Sequence, residues 1–294
     1  MRDDSAVIPA LDTWYRDHAR DLPWRAADRT PWGVLVSEVM LQQTPVSRVE
    51  PVWREWLARW PGPADLAVTD VAEVLRAWGR LGYPRRALRL HAAAGVVVER
   101  HGGQVPDDEA ALRDLPGVGA YTAAAVRAFA FGRRAVVLDT NVRRVLARAL
   151  GGGALPPPHL TAAESATADA LLPDDDAAAA RTCAALMELG ALVCTSRAPG
   201  CAACPLSGTC AWLAGGRPPD AHAQRRRRQP WQGTDRQARG QVLAALRAAT
   251  GPVAVVDLAW PDAAQLGRCV VALAADGLVV HDPATATVRL PSSR

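Results

Sequence analysis

The sequence predicts a mainly α-helical protein that ends in a small α+β unit resembling a winged helix. From about Ala6 to Ala214, apolar residues recur at helical spacing, and glycines and prolines separate the successive segments. After a stretch rich in proline and arginine the pattern changes to helix, short extended piece, helix and hairpin. These two observations give a long helical region and a separate tail.

The helical region contains several amphipathic or apolar segments in order. They read WGVLVSEVMLQQT, VAEVLRAWGRL, RRALRLHAAAGVVVERHG and a stretch from Glu109 to Phe131 around LPGVG. GGGALPPP, from Gly151 to Pro158, predicts a loop inside this region. In the tail, helices are predicted for DRQARGQVLAALRAA and DAAQLGRCVVALAADG, an extended piece for PVAVVDL, and a hairpin for LVVHDPATATVRL.

Composition limits the classes of protein that fit. The chain has 294 residues, of which 49% are apolar, and this suits two or three globular domains rather than disorder. It has no uncharged apolar stretch of about 18 residues, and its acidic, amphipathic start does not resemble a secretion signal. We therefore expect a cytoplasmic protein whose cysteines stay reduced.

Four of the six cysteines lie close together, in the pattern C-x6-C-x2-C-x5-C. Thiolates at such spacings bind a [4Fe–4S] cluster, although a four-cysteine zinc site is the alternative. Cys183 and Cys269 lie in apolar helical patterns and are expected in the core. The candidate ligands are Cys194, Cys201, Cys204 and Cys210.

The segment DLPGVGAYTAAAV joins two helical patterns through a glycine-rich turn. Glycines allow a tight turn and expose backbone N–H groups at a helix N-terminus, which suits a phosphate oxygen and reads no base. It therefore predicts a helix-hairpin-helix DNA clamp, with an ordinary helix–loop–helix turn as the alternative. The residues concerned are Gly117, Val118, Gly119, Tyr121 and Thr122.

Two acidic residues stand out from their surroundings. Glu38 lies among apolar residues in VLVSEVML, where burial would raise its pKa and suit it to donate a proton. Asp139, in VVLDTNVRRVL, directly precedes a predicted helix. The alternatives are a paired or partly solvated acid for Glu38 and a plain helix N-cap for Asp139.

Taken together, VSEVMLQQT, LGY, LPGVGAYTA, LDTNVRRVL, MELGALVCT and the cysteine pattern resemble the helix-hairpin-helix DNA glycosylases with an iron–sulfur cluster. SEVMLQQT and Tyr121 are similar to the MutY-type adenine DNA glycosylases in particular. The resemblance covers about residues 8–212. It implies a two-lobed helical fold, with a cluster domain at 1–26 and 136–214 and a six-helix domain at 27–135. An Arg/Pro-rich linker at 215–233 and the winged-helix-like domain at 234–294 complete the division.

The resemblance also implies an activity. A MutY-type enzyme acts in base excision repair as a monomer on double-stranded DNA, and it flips adenine mispaired with 8-oxoguanine or guanine out of the duplex. Glu38 would protonate the adenine and later act as base, while Asp139 would stabilise an oxocarbenium-like sugar. Bifunctional relatives carry a lysine at position 121, and this chain contains no lysine at all, so strand cleavage through a Schiff base is not expected.

Further site residues follow from the resemblance, position by position. Tyr121 and Asn141 would support the aspartate and the water. Independently of the resemblance, the position of Arg197 inside the cysteine loop predicts that it faces a DNA phosphate. The run Arg225–Arg228 is expected to add non-specific, salt-dependent affinity, with a solvated linker as the alternative. The adenine-pocket wall would include Leu22, Trp24 and Arg25, and the residues near the mismatch would be Gln42, Gln43, Thr44, Leu81 and Tyr83.

Three departures from the family pattern concern selectivity. Pro84 follows LGY where many relatives have a second tyrosine, and Ala184 stands where a Glu or Gln would reach adenine. The tail is expected to be too short for the Nudix-like domain that reads 8-oxoguanine in the family, so it would serve either DNA binding or only packing or partner contacts. Ala184 and the missing reader domain leave open a glycosylase for thymine or uracil opposite guanine. A non-catalytic iron–sulfur DNA-binding protein is a third hypothesis, against which the presence of Glu38 and Asp139 argues.

Overall fold

The computed structural model describes residues 6–225 and 231–292. It is mainly helical with one three-stranded sheet, as the sequence predicts. None of the described helices is long and apolar enough to cross a membrane. The helices are α1 (Val7–His18), α2 (Pro31–Leu41), α3 (Val46–Arg59), α4 (Pro63–Ala67), α5 (Val71–Trp78), α6 (Arg85–His101), α7 (Glu109–Arg113), α8 (Ala120–Phe131), α9 (Thr140–Ala149), α10 (Ala162–Leu171), α11 (Asp176–Leu192), α12 (Ala211–Ala214), α13 (Asp235–Ala248) and α14 (Ala263–Ala275). The strands are β1 (Val253–Ala254), β2 (Val280–Asp282) and β3 (Thr287–Arg289).

Many of these helices begin where the sequence provides a capping side chain. The side chains of Asp139, Asp175, Thr234 and Asp262 each accept a hydrogen bond from a backbone N–H in the first turn of α9, α11, α13 and α14. Such bonds satisfy donors that have no partner inside the helix. Thr161 and Glu164 form a reciprocal capping box at the start of α10.

The chain divides into two compact units, the first of which comprises residues 1–34, 107–110 and 118–227. In this unit α11 packs against α1, α8 and α9, and α12 packs against α9. One core cluster is formed mainly by apolar side chains of α1, α9, α10 and α11. The most deeply buried members include Leu11, Val142, Val145, Ala185 and Leu189.

The second unit comprises residues 35–106, 111–117 and 228–294. Here α6 packs against α4 and α5, and three tryptophans fill the space between neighbouring helices. The ring of Trp56 meets those of Trp60 and Trp78 edge to face, at centroid distances of 4.6 and 5.7 Å. Aromatic pairs at such distances add to the stability gained from burial alone.

The tail belongs to the second unit and has the order that the sequence predicts. α13 packs against α14 and α5, and the sheet order is β1-β3-β2, with both pairs antiparallel. Val288 on β3 pairs with Val253 on one side and His281 on the other. Helix, strand, helix and hairpin in this arrangement give a small α+β domain of winged-helix type.

These two units do not coincide with the four segments expected from the sequence. The tail is grouped with residues 35–106, and α8 is grouped with the half that carries the cysteines. The division at 26, 135, 214 and 233 therefore stays a prediction.

Candidate active site

Asp139 begins helix α9 and accepts two hydrogen bonds. Its Oδ1 accepts from the backbone N–H of Val142 at 2.6 Å, and its Oδ2 accepts from Nδ2 of Asn141 at 2.8 Å. Burial raises the pKa of Asp139 above its ordinary value, although these hydrogen bonds and the charge of Arg144 oppose the shift. Asp139 is thus an N-cap, but one whose carboxyl is withdrawn from water in a way that a surface cap does not require.

Asn141 is itself held by a buried arginine. Its Oδ1 accepts a hydrogen bond from Nη2 of Arg144 at 2.8 Å, and the same guanidinium donates to the carbonyls of Gly190 and Cys194 at 2.7 and 2.6 Å. Arg144 therefore ties the residue beside Asp139 to the start of the cysteine loop. The sequence gives no sign of this role, because the partners of Arg144 lie as many as 50 residues away.

Gly190 allows α11 to approach α9 at this point. A Cβ atom added there would lie 2.7 Å from the Cβ of Asn141 and 2.9 Å from its carbonyl oxygen. These distances are shorter than any ordinary van der Waals contact, so the glycine of MELG is needed for close packing and not for a special backbone angle.

Glu38 and Tyr121 occupy helical positions in different units. Glu38 lies on α2, where it is 6% exposed and flanked in sequence by Ser37 and Val39, which are also buried. Tyr121 lies in the first turn of α8 and packs against an apolar cluster that includes Ala125 and Cys183. Glu38 belongs to the second unit, whereas Tyr121, Asp139 and Asn141 belong to the first. The expectation of a buried Glu38 is confirmed, and its role stays a prediction.

The two loops expected near the mismatch are joined by one buried guanidinium that sequence reasoning missed. Nη1 of Arg86 donates to the carbonyls of Val39, Met40 and Gln42 at 2.8, 2.9 and 2.7 Å. Its Nη2 donates to Oγ1 of Thr44 at 3.0 Å and to the carbonyls of Leu81 and Gly82 at 3.3 and 3.1 Å. Burial lowers the pKa of Arg86 to about 10, against the effect of Tyr83. The guanidinium remains charged at neutral pH and holds both loops.

Within these loops the side chains differ in accessibility. Thr44 and Leu81 are buried at 6% and 3% exposure, and Oγ1 of Thr44 donates to the carbonyl of Leu81 at 3.2 Å. Gln43 and Tyr83 are exposed, and both have left-handed backbones, with φ of 56° and 46°. Gln43 and Tyr83 are therefore among the side chains that the loops present to solvent, together with Pro45 and Arg80. Pro84 is the N-cap of α6, which accounts for a proline at this position.

The segment LPWR is anchored by an ion pair with a buried carboxylate. Glu188, in MELG, is fully buried and accepts from Nε and Nη2 of Arg20 at 2.6 and 2.8 Å and from Nη1 of Arg25 at 2.9 Å. Burial alone would raise the pKa of Glu188, but the two arginines lower it overall. Leu22 and Trp24 are each 5% exposed. Arg25 thus has a structural partner that the sequence does not reveal.

Ala184 lies on the same helix as Glu188, one turn earlier, and is partly buried. It carries no polar atom beyond its backbone. At position 184, therefore, no side-chain polar group replaces the Glu or Gln of the family pattern.

The glycine-rich turn between α7 and α8 has the backbone that the sequence predicts. Gly117 has φ of 83°, and a Cβ atom there would lie 2.8 Å from Cβ of Arg89, so two reasons favour glycine. Gly119 is the N-cap of α8 and has no side chain to cap it. The side chains of Val118 and Thr122 are buried, which leaves their backbone as the part suited to a phosphate.

The four clustered cysteines are free thiols that interact with one another. The pKa of Cys204 is raised to about 11, first by burial and also by Cys194, Cys210 and Cys201. Among the described residues, no three His, Cys, Asp or Glu side chains form a site for a single metal ion.

Buried arginines surround the cysteine loop. Arg148, 3% exposed, donates from Nη1 to Sγ of Cys194 at 3.4 Å and to the carbonyl of Thr195 at 2.7 Å, and its guanidinium lies 4.6 Å from the ring centroid of Trp212. Together with Arg144 it places positive charge beside the thiols. Soft thiolates next to fixed cations fit an anionic, thiolate-bound iron–sulfur cluster. Arg197 is exposed in the same loop.

The expected basic run Arg225–Arg228 lies outside what can be described here. Residues 226–230 are outside the described part of the chain, and so is the side chain of Arg225. Its proposed contact with DNA therefore stays a prediction from the sequence.

Comparison with known proteins agrees with this constellation. Residues 36–168 match the HhH-GPD superfamily of base excision DNA repair proteins. An adenine DNA glycosylase of Mycobacterium tuberculosis is 51% identical over 280 residues, which cover 92% of this chain and 89% of the relative.

Two solved structures share the fold of the helical region. A thermostable thymine-DNA glycosylase is 30% identical with a TM-score of 0.65, and the match covers 72% of this chain and 97% of that one. An endonuclease III bound non-covalently to DNA is 23% identical with a TM-score of 0.62, and the match covers 74% of this chain and 99% of that one. The fold and the identity over most of the chain agree, and the chain belongs to the MutY-type adenine DNA glycosylases of the helix-hairpin-helix superfamily.

Proposed function

We propose that this protein is a monofunctional DNA glycosylase that removes adenine mispaired with 8-oxoguanine or guanine. The observation that carries the proposal is the partly buried carboxyl of Asp139, held by Asn141 and Val142 at the start of α9. A carboxylate fixed in this way can stabilise positive charge on a sugar without reorganising. The 51% identity to an adenine DNA glycosylase supports adenine as the base.

In the proposed mechanism, two carboxyl groups divide the work as in glycoside hydrolysis. Glu38 donates a proton to N7 of the flipped adenine, which makes the base a better leaving group. Asp139 in its ionised form stabilises the oxocarbenium-like sugar or bonds to it transiently. Water then completes hydrolysis with Glu38 as the base, and Tyr121 and Asn141 support Asp139 and the water.

Strand cleavage should not follow base removal. A lyase step through a Schiff base needs an amine, and the sequence contains no lysine, with Tyr121 at the position in question. Incubation with a labelled substrate duplex should give strand breaks only after alkali. An abundant covalent enzyme–DNA adduct trapped by borohydride would contradict this part of the proposal.

The acid role of Glu38 is testable with an isosteric change. Glu38→Gln keeps the side-chain volume in a buried site and removes the proton donor. We expect it to bind the mispaired duplex like the wild type and to excise adenine about 10²–10⁴-fold more slowly. Retained turnover would contradict the assignment, and Glu55→Gln, on an exposed residue of α3, is the matched control.

The four cysteines would hold a [4Fe–4S] cluster. Bound there, it would bridge four points of the loop from Cys194 to Cys210 and so fix the segment that carries Arg197. Two buried arginines also hold the loop, because Arg148 donates to the carbonyl of Thr195 and Arg144 donates to the carbonyl of Cys194. This role is structural and requires no electron transfer.

DNA contacts would come from backbone and side chains in separate places. The turn at Gly117–Gly119 and the first turn of α8 offer N–H groups to a phosphate, and Gln43 and Tyr83 offer exposed side chains beside the mismatch. These contacts fit a duplex that is held by its backbone and opened at one base pair. A monomer is sufficient for this mode of binding.

A second candidate is removal of thymine or uracil opposite guanine. Two observations favour it: Ala184 offers no side-chain polar group to adenine, and a thymine-DNA glycosylase shares the fold at 30% identity. The base released from each mispair distinguishes the two candidates. A non-catalytic DNA-binding role would leave every mispair intact.

A further inference from the structure

The loop from Gly79 to Arg85 has an unusual backbone at its exposed end. Gly79, Gly82 and Tyr83 all have positive φ, at 55°, 79° and 46°. A tyrosine rarely adopts this conformation, and the surrounding structure must stabilise it. Arg86 does so from the interior, through the carbonyls of Leu81 and Gly82.

The tail contacts the same loop at three further points, all within the second unit. The guanidinium of Arg236 lies 4.7 Å from the ring centroid of Tyr83. Arg247 donates from Nη1 to the carbonyl of Gly79. Asp276 forms an ion pair with Arg85, the residue at which the loop ends and α6 begins, and another with Arg239, which is on α13.

The composition of the tail does not suit an independent reader of DNA sequence. α14 occupies the position of the recognition helix in a winged helix, where polar side chains normally reach base edges. Its exposed residues are Ala263, Ala264, Arg268, Val271 and Ala275, among which arginine is the single side chain able to donate a hydrogen bond. The contacts to the loop are therefore the more specific feature of the tail.

We propose that the tail strengthens binding to mispaired duplex DNA indirectly, by holding the ring of Tyr83 in place. Arg236 is the positioning residue that fixes this ring. Arg236 also lies 5.3 Å from the ring centroid of Trp231, so one cation contacts two aromatic rings. Both rings have large exposed fractions, 40% for Tyr83 and 55% for Trp231. The inference rests on the proposed function in one respect, namely that Tyr83 meets the mispaired site.

Holding the Tyr83 ring in place favours binding of the duplex and leaves the chemical step unchanged. A side chain that is already ordered before the duplex arrives loses less conformational entropy on binding. Arg236 has no part in proton transfer or in stabilising the sugar. Its loss should therefore weaken recognition of a mispair and leave the rate of the bound complex unchanged.

Two arginines of the tail allow a matched comparison. Arg236→Ala removes the contact with Tyr83, and Arg236→Lys keeps a cation near the ring. Arg268→Ala removes the same charge from an exposed position on α14. Each variant would be made in the wild type and in an Asp139→Asn background that binds duplex without excising, and urea unfolding would confirm that each one folds.

Binding would be measured by fluorescence anisotropy on a duplex with A opposite 8-oxoguanine and on a matched A·T duplex. Arg236→Ala should weaken binding to the mispair roughly two- to fivefold, the worth of an exposed cation–π contact. It should weaken binding to the matched duplex no more than Arg268→Ala does. Arg236→Lys should recover most of the loss. In single-turnover excision, the enzyme concentration at half-saturation should rise while the maximal rate stays within about twofold of the wild type.

The inference is overturned if Arg236→Ala and Arg268→Ala have equal effects on both duplexes, or if the maximal rate falls while binding is unchanged. The binding arm does not depend on excision. A wild type that releases no adenine, but whose mispair affinity depends on Arg236, would contradict the proposed function and support this inference. Normal excision with a mispair affinity that does not depend on Arg236 would support the proposed function and contradict this inference.

Discussion

Asn141 links Arg144 to Asp139: its Oδ1 accepts from Nη2 of Arg144 at 2.8 Å, and its Nδ2 donates to Oδ2 of Asp139 at 2.8 Å. Because Arg144 can only donate, it fixes which end of the Asn141 amide faces Asp139. The Asp139 carboxylate therefore meets a donor and not a second oxygen. This arrangement stabilises the ionised form that the proposed mechanism needs.

Asp139→Asn should separate capping from catalysis. Asparagine caps helices about as well as aspartate, so the variant should keep the hydrogen bond from the Val142 N–H and lose only the one from Nδ2 of Asn141, whereas Asp139→Ala loses both and should cost about 1 kcal/mol more. Both should lose about 10²-fold or more in excision rate, because neither carries a negative charge. Unfolding in urea and single-turnover excision measure the two effects. A fully active Asp139→Asn protein would show that Asp139 is only a cap.

The wild type and Asp139→Asn should differ in how the free energy of unfolding depends on pH. Because burial raises the pKa of Asp139, the folded state binds this proton more tightly than the unfolded state. The resulting stabilisation is complete below about pH 3.9, the ordinary value for aspartate, and is lost as pH rises through the raised pKa. Asn does not titrate. Relative to the wild type, Asp139→Asn should therefore gain stability as pH rises from about 4 to 7, and a constant difference would contradict the raised pKa.

The dependence of the excision rate on pH should also reflect the raised pKa of Asp139. If ionised Asp139 is required, the excision rate should fall on the acid side with an apparent pKa above about 3.9. Asn141→Ala removes a hydrogen bond that lowers this pKa, so the acid limb should move to higher pH. Single-turnover rates between about pH 4 and 9 measure it. An acid limb that does not move in Asn141→Ala would indicate that another group controls it.

Gly190→Ala should destabilise the protein, whereas the same change in α6 should not. The new Cβ at position 190 would lie 2.7 Å from Cβ of Asn141, and overpacking of this kind costs about 1–3 kcal/mol. Gly95 lies within α6 with no atom within 4 Å of an added Cβ, so Gly95→Ala should gain roughly 0.5–1 kcal/mol of helix propensity. Urea unfolding compares the two. Equal effects would contradict the close approach of α11 to α9.

The cysteine loop should bind iron and sulfide. Protein purified without oxygen should contain both, with visible absorbance, and Cys204→Ala should lose them together. Cys183→Ala, which changes a buried cysteine outside the loop, should retain them. Zinc in place of iron would support the four-cysteine zinc alternative. Iron bound equally by both variants would show that Cys204 is not a ligand.

Sequence reasoning located the elements of this fold better than the contacts between them. The start of α9 at Asp139 and the order of elements in the tail follow from local signals, because capping and periodicity are properties of neighbouring residues. Arg86, Arg144 and Glu188 were missed, because each has partners that lie 42 to 168 residues away, and an arginine is unremarkable in a chain with 34 basic residues.

The loops near the mismatch illustrate the same limit. Gln43, Thr44, Leu81 and Tyr83 form one set in the sequence, whereas the structure buries Thr44 and Leu81 and exposes the other two. The difference arises from Arg86, whose guanidinium draws backbone carbonyls of both loops inward. Which residues of such a set are buried and which are exposed can be decided only when the three-dimensional contacts are known.

A single-turnover assay on five end-labelled duplexes, each treated with alkali, tests the proposed activity most directly. The duplexes contain A opposite 8-oxoguanine, A opposite G, T opposite G, U opposite G, and thymine glycol opposite A. We expect breakage at A alone, and only after alkali, and the ratio of the first two rates measures how well 8-oxoguanine is distinguished with this tail. Breakage at T or U in place of A, or no breakage in any duplex, would contradict an adenine glycosylase.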